Sequence, residues 1–145
     1  MPEEHASRQD KIWSGSAAAI ADIPDGATIL LGGFGGVGVP ENILVAMADH
    51  PAKELTVVTN HAGFGERGLA VLFRQGKVRK LMCTYAFHRS AFVFREVYME
   101  GKIELEQIPQ GTMAERIRAA GAGIPAFYTP TGPGTQAAEG KENRT

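Results

Sequence analysis

Residues 25–40 read DGATILLGGFGGVGVP, and this stretch decides how the rest of the chain is interpreted. Residues 27–31 form a short, continuous apolar run, as expected for a strand that is buried on both faces. Five glycines follow within residues 32–38, and Pro40 stands where the first turn of a helix tolerates proline. A strand, a glycine-rich turn and a helix in this order are typical of one βα unit of a parallel sheet.

The same unit repeats along the chain. Apolar runs predict strands at residues 27–31, 55–59, 78–84, 103–105 and 124–128. Helical spacing of apolar residues predicts helices at residues 14–21, 41–49, 68–74, 90–99 and 112–120. We therefore predict an α/β fold with a mostly parallel β-sheet and crossover helices, formed by residues 1–128. Residues 129–145 are rich in Thr, Pro, Gly and charge, and we expect them to be a mobile polar tail.

Composition excludes several classes of protein. With 43% apolar and 21% charged residues, the 145-residue chain has the make-up of one ordinary globular domain. The formal net charge of −1 gives no basic excess for nucleic acid. Cys83 is the single cysteine, which excludes an intrachain disulfide or a paired-cysteine metal site. The acidic start lacks the pattern of a signal peptide, and no run is long enough to span a membrane. We expect a cytoplasmic protein without a metal.

The glycine cluster is the first candidate binding site. It lies at the carboxyl end of the first predicted strand, where parallel sheets bind their ligands. Glycines permit positive φ angles and let a ligand approach main-chain N–H groups, so the loop can hold an anion or an oxyanion. The alternative is a tight turn that needs its glycines for steric reasons alone.

The cluster also contains the dinucleotide pattern GxGxxG, at Gly33, Gly35 and Gly38. In nicotinamide-binding proteins an acidic residue about 20 positions further on holds the ribose. The second predicted strand ends instead in Thr59-Asn60-His61, without a carboxylate. The sequence therefore does not favour a nicotinamide site.

Taken at full length, residues 25–40 resemble the α-subunit signature of family I CoA-transferases. The signature is Asp-Gly, two free positions, three apolar residues, Gly-Gly-Phe, three free positions, Gly, one free position and Pro, and each fixed position is met. Residues 109–132, PQGTMAERIRAAGAGIPAFYTPTG, are similar to a second segment of the same subunits. The likeness covers roughly residues 11–142 in the family's order.

The resemblance implies an open α/β sandwich of CoA-transferase type and an enzyme that moves CoA from an acyl-CoA, such as succinyl-CoA, to a short-chain or 3-oxo carboxylic acid. Such enzymes use a glutamate nucleophile and pass through an acyl anhydride and a glutamyl-CoA thioester. In the family this glutamate lies in the β subunit, within Ser-Glu-Asn-Gly, and this sequence has no such segment. We therefore expect no catalytic nucleophile here, a β-subunit partner in a hetero-oligomer of αβ pairs, and no cofactor, since the CoA thioester is a substrate.

The α subunit would then supply walls and hydrogen-bond donors to the acyl pocket. The expected substrate-binding residues come from the glycine cluster, the second strand and the segment before the last helix: Gly33, Phe34, Gly35, Gly36, Gly38, Asn60, Gln110, Gly111 and Thr112. For Asn60 and Gln110 the alternative is a side chain that caps its own loop.

The sequence departs from the family at several places, of which three matter most. His61 replaces the second Asn of the usual Asn-Asn-Ala-Gly, where it could contact substrate or take over that residue's role in the loop. Residues 87–89 are bulkier and more basic than usual and could reshape the acceptor pocket. The family's α subunits continue past the segment at residues 134–142, so a truncated or short form is expected. Two further hypotheses stay open: a stand-alone CoA- or nucleotide-binding domain, and a non-catalytic structural subunit.

Overall fold

The structure, a computed structural model, describes residues 12–144. Four parallel strands form one sheet in the order β1-β2-β3-β4, which is also their order along the chain. The strands are β1 (Thr28–Leu30), β2 (Leu55–His61), β3 (Val78–Tyr85) and β4 (Glu104–Gln107). Residues 1–11 of the predicted domain and Thr145 of the predicted tail lie outside the described residues. The predicted α/β class with a parallel sheet is confirmed.

Helices connect the strands as the sequence predicts. They are α1 (Ser16–Ala19), α2 (Glu41–Asp49), α3 (Leu69–Arg74), α4 (Phe92–Met99) and α5 (Gln110–Gly121). Glycines with positive φ follow α3 and α4, at Gly76 (66°) and Gly101 (70°). A residue there must adopt the left-handed conformation, which costs glycine nothing and explains why these two helices end where they do. Among residues 12–144, no helix is long and apolar enough to cross a membrane.

The main core lies between one face of the sheet and helices α2, α3 and α4. Alternate strand residues point to this face, as the two-residue period of a strand requires. They include Leu55, Val57, Leu81 and Cys83, none of which is more than 2% exposed. Burial raises the pKa of the Cys83 thiol to about 12, so this cysteine is a small core residue and not a reactive thiol.

Helix α5 covers part of the opposite face. Its Arg116 lies 2.7 Å from Glu106 of β4, and Lys80 of β3 lies 3.0 Å from the same carboxylate. Burial alone would raise the pKa of Glu106, but the hydrogen bonds from Arg116 and Lys80 hold it below its usual range. Leu30 of β1 lies on the same face and is 57% exposed, so α5 leaves the β1 end of that face open.

The prediction of a fifth strand at residues 124–128 is wrong. The backbone N–H of Ile124 donates to the carbonyl of Ala119, and Gly123 has φ 69°, which together close the carboxyl end of α5. Pro125 then removes a backbone donor that a strand ladder would need. Residues 124–128 pair with none of the described strands, although their composition is that of a strand.

Residues 129–144 contain one 3-10 turn, at Gln136–Ala138. Arg144 lies over the ring of Tyr128, 4.6 Å from its centroid, and also contacts Glu142 at 3.0 Å. The domain boundary at residue 128 and the mobility of the tail stay predictions.

Candidate active site

The glycine cluster after β1 forms a miniature hairpin. Phe34 and Val37 exchange two backbone hydrogen bonds, of 2.9 and 3.0 Å. Gly35 and Gly36 form the tip with φ angles of 58° and 87°, as a two-residue turn between twisted strands requires. The side chains of Phe34 and Val37 are 73% and 79% exposed. The loop therefore raises two apolar side chains and an open backbone above the carboxyl edge of the sheet.

Gly33 is required by packing as well as by conformation. Its φ is 123°, and a Cβ added there would lie 2.7 Å from Cγ2 of Val39. The same Cβ would lie 3.4 Å from the backbone N and Cα of Val39, which is van der Waals distance, so the clash is with the side chain of Val39. The two ends of the loop thus approach each other as closely as a glycine allows.

Three polar side chains meet where β2 and β3 end. Oε1 of Gln110 accepts hydrogen bonds from Nδ2 of Asn60, at 2.9 Å, and from Oγ1 of Thr84, at 2.7 Å. Because the side-chain oxygen of Gln110 is held from two sides, its amide NH₂ is turned away from them. Among residues 12–144 this NH₂ has no acceptor of its own. The arrangement contradicts the alternative in which Asn60 and Gln110 cap their own loops.

The three residues predicted around the start of α5 do not share one location. The helix begins at Gln110 rather than Thr112, so all three belong to its first turn. Gln110 joins Asn60, and Gly111 is exposed. Thr112 instead lines a cavity of about 450 Å³ between α5 and residues 124–143, where its hydroxyl is buried and has no hydrogen-bond partner among residues 12–144. The structure therefore brings Asn60 and Gln110 together and separates Thr112 from them.

His61 is buried at the end of β2, with 5% of its surface exposed. Its Nδ1 accepts the backbone N–H of Gly63 at 3.0 Å, so the imidazole holds the following loop as an asparagine side chain would. The ring also contacts Phe64, at 4.5 Å between centroids, and lies 6.4 Å from the ring of His88. The sequence leaves two roles open for His61, contact with substrate and the loop role of the family's second Asn. The hydrogen bond to Gly63 corresponds to the loop role.

The surroundings of both histidines favour the neutral form of the ring. Burial lowers the pKa of His61, and the neighbouring His88 lowers it further. Burial also lowers the pKa of His88, although a hydrogen bond with the Gly63 backbone acts in the opposite direction. Since Nδ1 of neutral His61 is an acceptor, its proton is on Nε2.

A cavity of about 250 Å³ lies beside the glycine loop. Backbone from the loop and from the segment before α3 forms much of its wall, and His61 and Phe64 complete one side. Glu41, in the first turn of α2, and Arg67 bring one charge of each sign to this wall. Among residues 12–144, no group of three or more His, Cys, Asp or Glu side chains is arranged to hold a metal ion.

The histidine pair predicts a loss of stability below about pH 6.5, the ordinary histidine pKa. Since burial lowers both pKa values in the folded state, the unfolded chain binds more protons once the pH falls below that value. The stability is fully present above about pH 6.5 and is lost as the pH falls through the folded-state pKa values. Urea unfolding at stepped pH should show the midpoint falling over this range.

The matched control is the double variant His61→Asn, His88→Asn. Its unfolding midpoint should change little until lower pH, where carboxylates such as Glu106 begin to bind protons. A midpoint that falls equally in the double variant and in the unchanged protein would contradict the histidine origin.

Sequence reasoning missed Thr84 and the enclosure around His61. Thr84 carries a signal, because it lies at the end of the third predicted strand, at the same edge as Asn60. No sequence signal predicts the cavity beside His61. Its walls come from separate segments, and the distance between them depends on the packing of α2 and α3.

A parallel α/β sheet with a glycine hairpin, a polar cluster and a small cavity at its carboxyl edge is typical of the class of α/β proteins that bind ligands at their strand ends. The family model described as coenzyme A transferase matches residues 15–145. The chain is 49% identical, over 135 residues, to the A-subunit of the 3-oxoadipate CoA-transferase of Pseudomonas putida, covering 93% of this chain and 58% of that protein. It is 44% identical, over 135 residues, to the A-subunit of a probable succinyl-CoA:3-ketoacid coenzyme A transferase of Bacillus subtilis, covering 93% and 56%.

The solved structures agree with this match. A crystal structure of an acyl-CoA transferase from Escherichia coli O157:H7, in a thioester complex with CoA, superimposes with a TM-score of 0.69 at 25% identity. The superposition covers 83% of this chain and 25% of that one. The chain belongs to the coenzyme A transferase family, and the resemblance seen in the sequence is confirmed. It spans a little over half the length of the curated bacterial relatives it matches, 58% and 56%.

Proposed function

We propose that this chain acts as the α subunit of a CoA-transferase that moves CoA from an acyl-CoA, such as succinyl-CoA, to a short-chain or 3-oxo carboxylic acid. The observation that carries the proposal is the match to relatives named as A-subunits of CoA-transferases over 93% of the chain. The β subunit supplies the nucleophilic glutamate, and pairs of α and β subunits form the oligomer. No metal or organic cofactor takes part, because CoA enters as a thioester substrate.

The donors at the carboxyl edge fit the charge that this reaction develops. When a carboxylate attacks a thioester, negative charge collects on the carbonyl oxygen, and fixed N–H groups stabilise it. The NH₂ of Gln110 is held toward the open edge by the bonds that Asn60 and Thr84 donate to its oxygen. Among residues 12–144, the N–H groups of Gly35 and Gly36 at the hairpin tip have no backbone acceptor. Removing one such donor lowers kcat by roughly 100- to 1,000-fold in other acyl-transfer enzymes.

The covalent steps balance without a further reagent. A carboxylate oxygen of the partner's glutamate bonds to the acyl carbon, the carbon–sulfur bond breaks, and CoA leaves as a thiolate. The thiolate then attacks the glutamyl carbonyl of the anhydride, which releases the donor acid and leaves a glutamyl-CoA thioester. The acceptor carboxylate reverses both steps. This chain contributes orientation and oxyanion stabilisation rather than a bond to the acyl group.

The test is CoA exchange between succinyl-CoA and a panel of carboxylates that includes acetoacetate, butyrate and 3-oxoadipate. It is run with this chain alone and with the chain coexpressed beside a partner that carries Ser-Glu-Asn-Gly. After incubation with acyl-CoA, borohydride reduces any glutamyl thioester, and mass spectrometry locates the modified residue. We expect exchange only with the partner, and modification only on the partner's glutamate.

Each other outcome argues for a different role. Exchange by the isolated chain, with a modified glutamate in it, would overturn the assignment of the nucleophile to the β subunit. An assembled complex that exchanges nothing would favour a structural subunit. CoA binding by the isolated chain without exchange in the complex would favour a stand-alone binding domain.

A further inference from the structure

Phe64 lies between the glycine hairpin and the loop that follows β2. On one side its ring packs against the rings of His61 and His88, at 4.5 and 4.6 Å between centroids. On the other side it lies so near the hairpin tip that a Cβ added to Gly36 would be 3.6 Å from two carbons of the ring. The ring therefore fills the space between two segments that are distant in the sequence.

The ring of Phe64 also forms part of the wall of the cavity beside the glycine loop. The inner part of this wall is buried and includes His61 and Leu69, neither of which is more than 5% exposed. The outer part includes Phe64 itself, which is 37% exposed, and the exposed residues Glu41 and Arg67. The cavity therefore runs from a buried floor to an opening that solvent and small molecules can reach.

The volume and the wall of the cavity fit the hydrocarbon part of a short acid. Its volume of about 250 Å³ is below the usual range of about 300–1,000 Å³ for ligand pockets. Leu31, Val39 and Leu69 add apolar side chains to that of the phenylalanine. Glu41 and Arg67 bring one charge of each sign, so the cavity has no net charge that would draw a carboxylate inward.

We propose that Phe64 determines specificity for short acids, because its ring occupies the space into which the cavity beside the glycine loop would otherwise extend, and so limits the acyl chain that the cavity accepts. The inference rests on the proposed function and adds to it a limit on the size of the substrate. In an apolar pocket, one methylene group more or less changes kcat/KM by roughly 10- to 200-fold. A wall at the position of the ring therefore selects against longer chains.

The experiment compares butyrate with hexanoate, which is longer by two methylene groups, as acceptors for the assembled αβ enzyme. We expect the unchanged enzyme to prefer butyrate, and Phe64→Ala to raise the ratio of kcat/KM for hexanoate over butyrate by about 10-fold or more. Phe64→Leu keeps most of the apolar volume and should raise the ratio less. Because both acids are measured on the same preparation, a loss of folded enzyme cancels in the ratio.

Phe92→Ala is the matched control. Phe92 begins α4 and is half-buried, so the same atoms are removed from a partly exposed position, but it does not line the cavity. This variant should leave the hexanoate-to-butyrate ratio unchanged. A ratio that Phe64→Ala does not raise, or that rises equally in both variants, would overturn the proposal, because each result means that the ring of Phe64 does not limit the acyl chain.

A second measurement separates this proposal from the proposed function. In the complex with 4-fluorophenylalanine in this chain, the ¹⁹F signal of Phe64, identified by its absence from Phe64→Leu, should shift when butyrate is added, and the signal of Phe92 should stay in place. If no acid accepts CoA, the proposed function fails, and the signal still decides whether a short acid binds beside Phe64. A Phe64 signal that butyrate does not move would overturn the proposal.

Discussion

Replacing Phe94 by alanine should lower the free energy of unfolding by about 3–5 kcal/mol. Phe94 of α4 is fully buried, and its ring packs 5.5 Å from Phe73 of α3 and 5.7 Å from Tyr98, measured between centroids. The truncation removes the aromatic surface that joins α3 to α4 and leaves a cavity that the sheet behind them cannot fill. Since small domains are stable by only about 5–15 kcal/mol, such a loss brings the fold close to its limit.

Phe87→Ala is the control for that result, because it removes the same ring from the same aromatic cluster. The ring of Phe87 lies 5.8 Å from that of Phe94, but Phe87 is 48% exposed. Its loss should cost about 1 kcal/mol, because little surface is withdrawn from water there. Denaturant unfolding of the two variants measures the difference. Equal losses would mean that the centre of the helix layer does not lie at Phe94.

Gly33→Ala should be the second large effect, with a loss of about 2–6 kcal/mol in the free energy of unfolding. Two terms combine: positive φ costs a non-glycine residue about 1–3 kcal/mol, and overpacking costs about as much again. The new Cβ would meet Cγ2 of Val39 at 2.7 Å. The hairpin must then shift, so CoA exchange by the assembled enzyme should fall together with stability.

Gly26→Ala separates the two terms. Gly26 also has positive φ, 75°, but a Cβ there meets nothing within 4 Å, so only the conformational cost remains, about 1 kcal/mol. In addition, Gly33→Ala with Val39→Ala should recover part of the loss, because the clashing methyl is removed. Equal destabilisation by Gly33→Ala and Gly26→Ala would show that the contact with Val39 does not matter.

The sequence predicts the sheet well because its strands are short apolar runs separated by helices and by turn residues such as Gly and Pro. Gly76 and Gly101 end α3 and α4, and a sequence can predict such positions because only the local backbone conformation decides them. Residues 124–128 have the composition of a strand and fail to form one, because the cap of α5 takes the backbone of Ile124 and because Pro125 cannot donate. In that case the strand-like composition of residues 124–128 is outweighed by the hydrogen bond that closes the adjacent end of α5.

The candidate site is only partly predictable from the sequence. The carboxyl-edge rule brings Asn60 and Gln110 to one place, and the structure joins them by a hydrogen bond. Thr84 joins Asn60 and Gln110 because of the register of β3 against β2, and no short sequence motif encodes that register. Helix α5 begins at Gln110, two residues earlier than predicted, and the side chain of Thr112 within it lines another cavity. That the proton of His61 lies on Nε2 follows only from the hydrogen bond that its other nitrogen, Nδ1, accepts from Gly63.

The order of the strands has a consequence for how the chain is made. Each strand after β1 pairs with the one synthesised just before it, and paired residues such as Thr28 and Thr56, or Lys80 and Glu104, lie about 24–28 residues apart. No strand has to wait for a distant segment to leave the ribosome before it finds its neighbour. Parallel sheets usually fold slowly because their pairing spans long loops, and this arrangement keeps those loops as short as a crossover helix permits. The sheet can therefore grow by one strand at a time during synthesis, with the glycine hairpin of the first crossover emerging before the rest of the carboxyl edge exists.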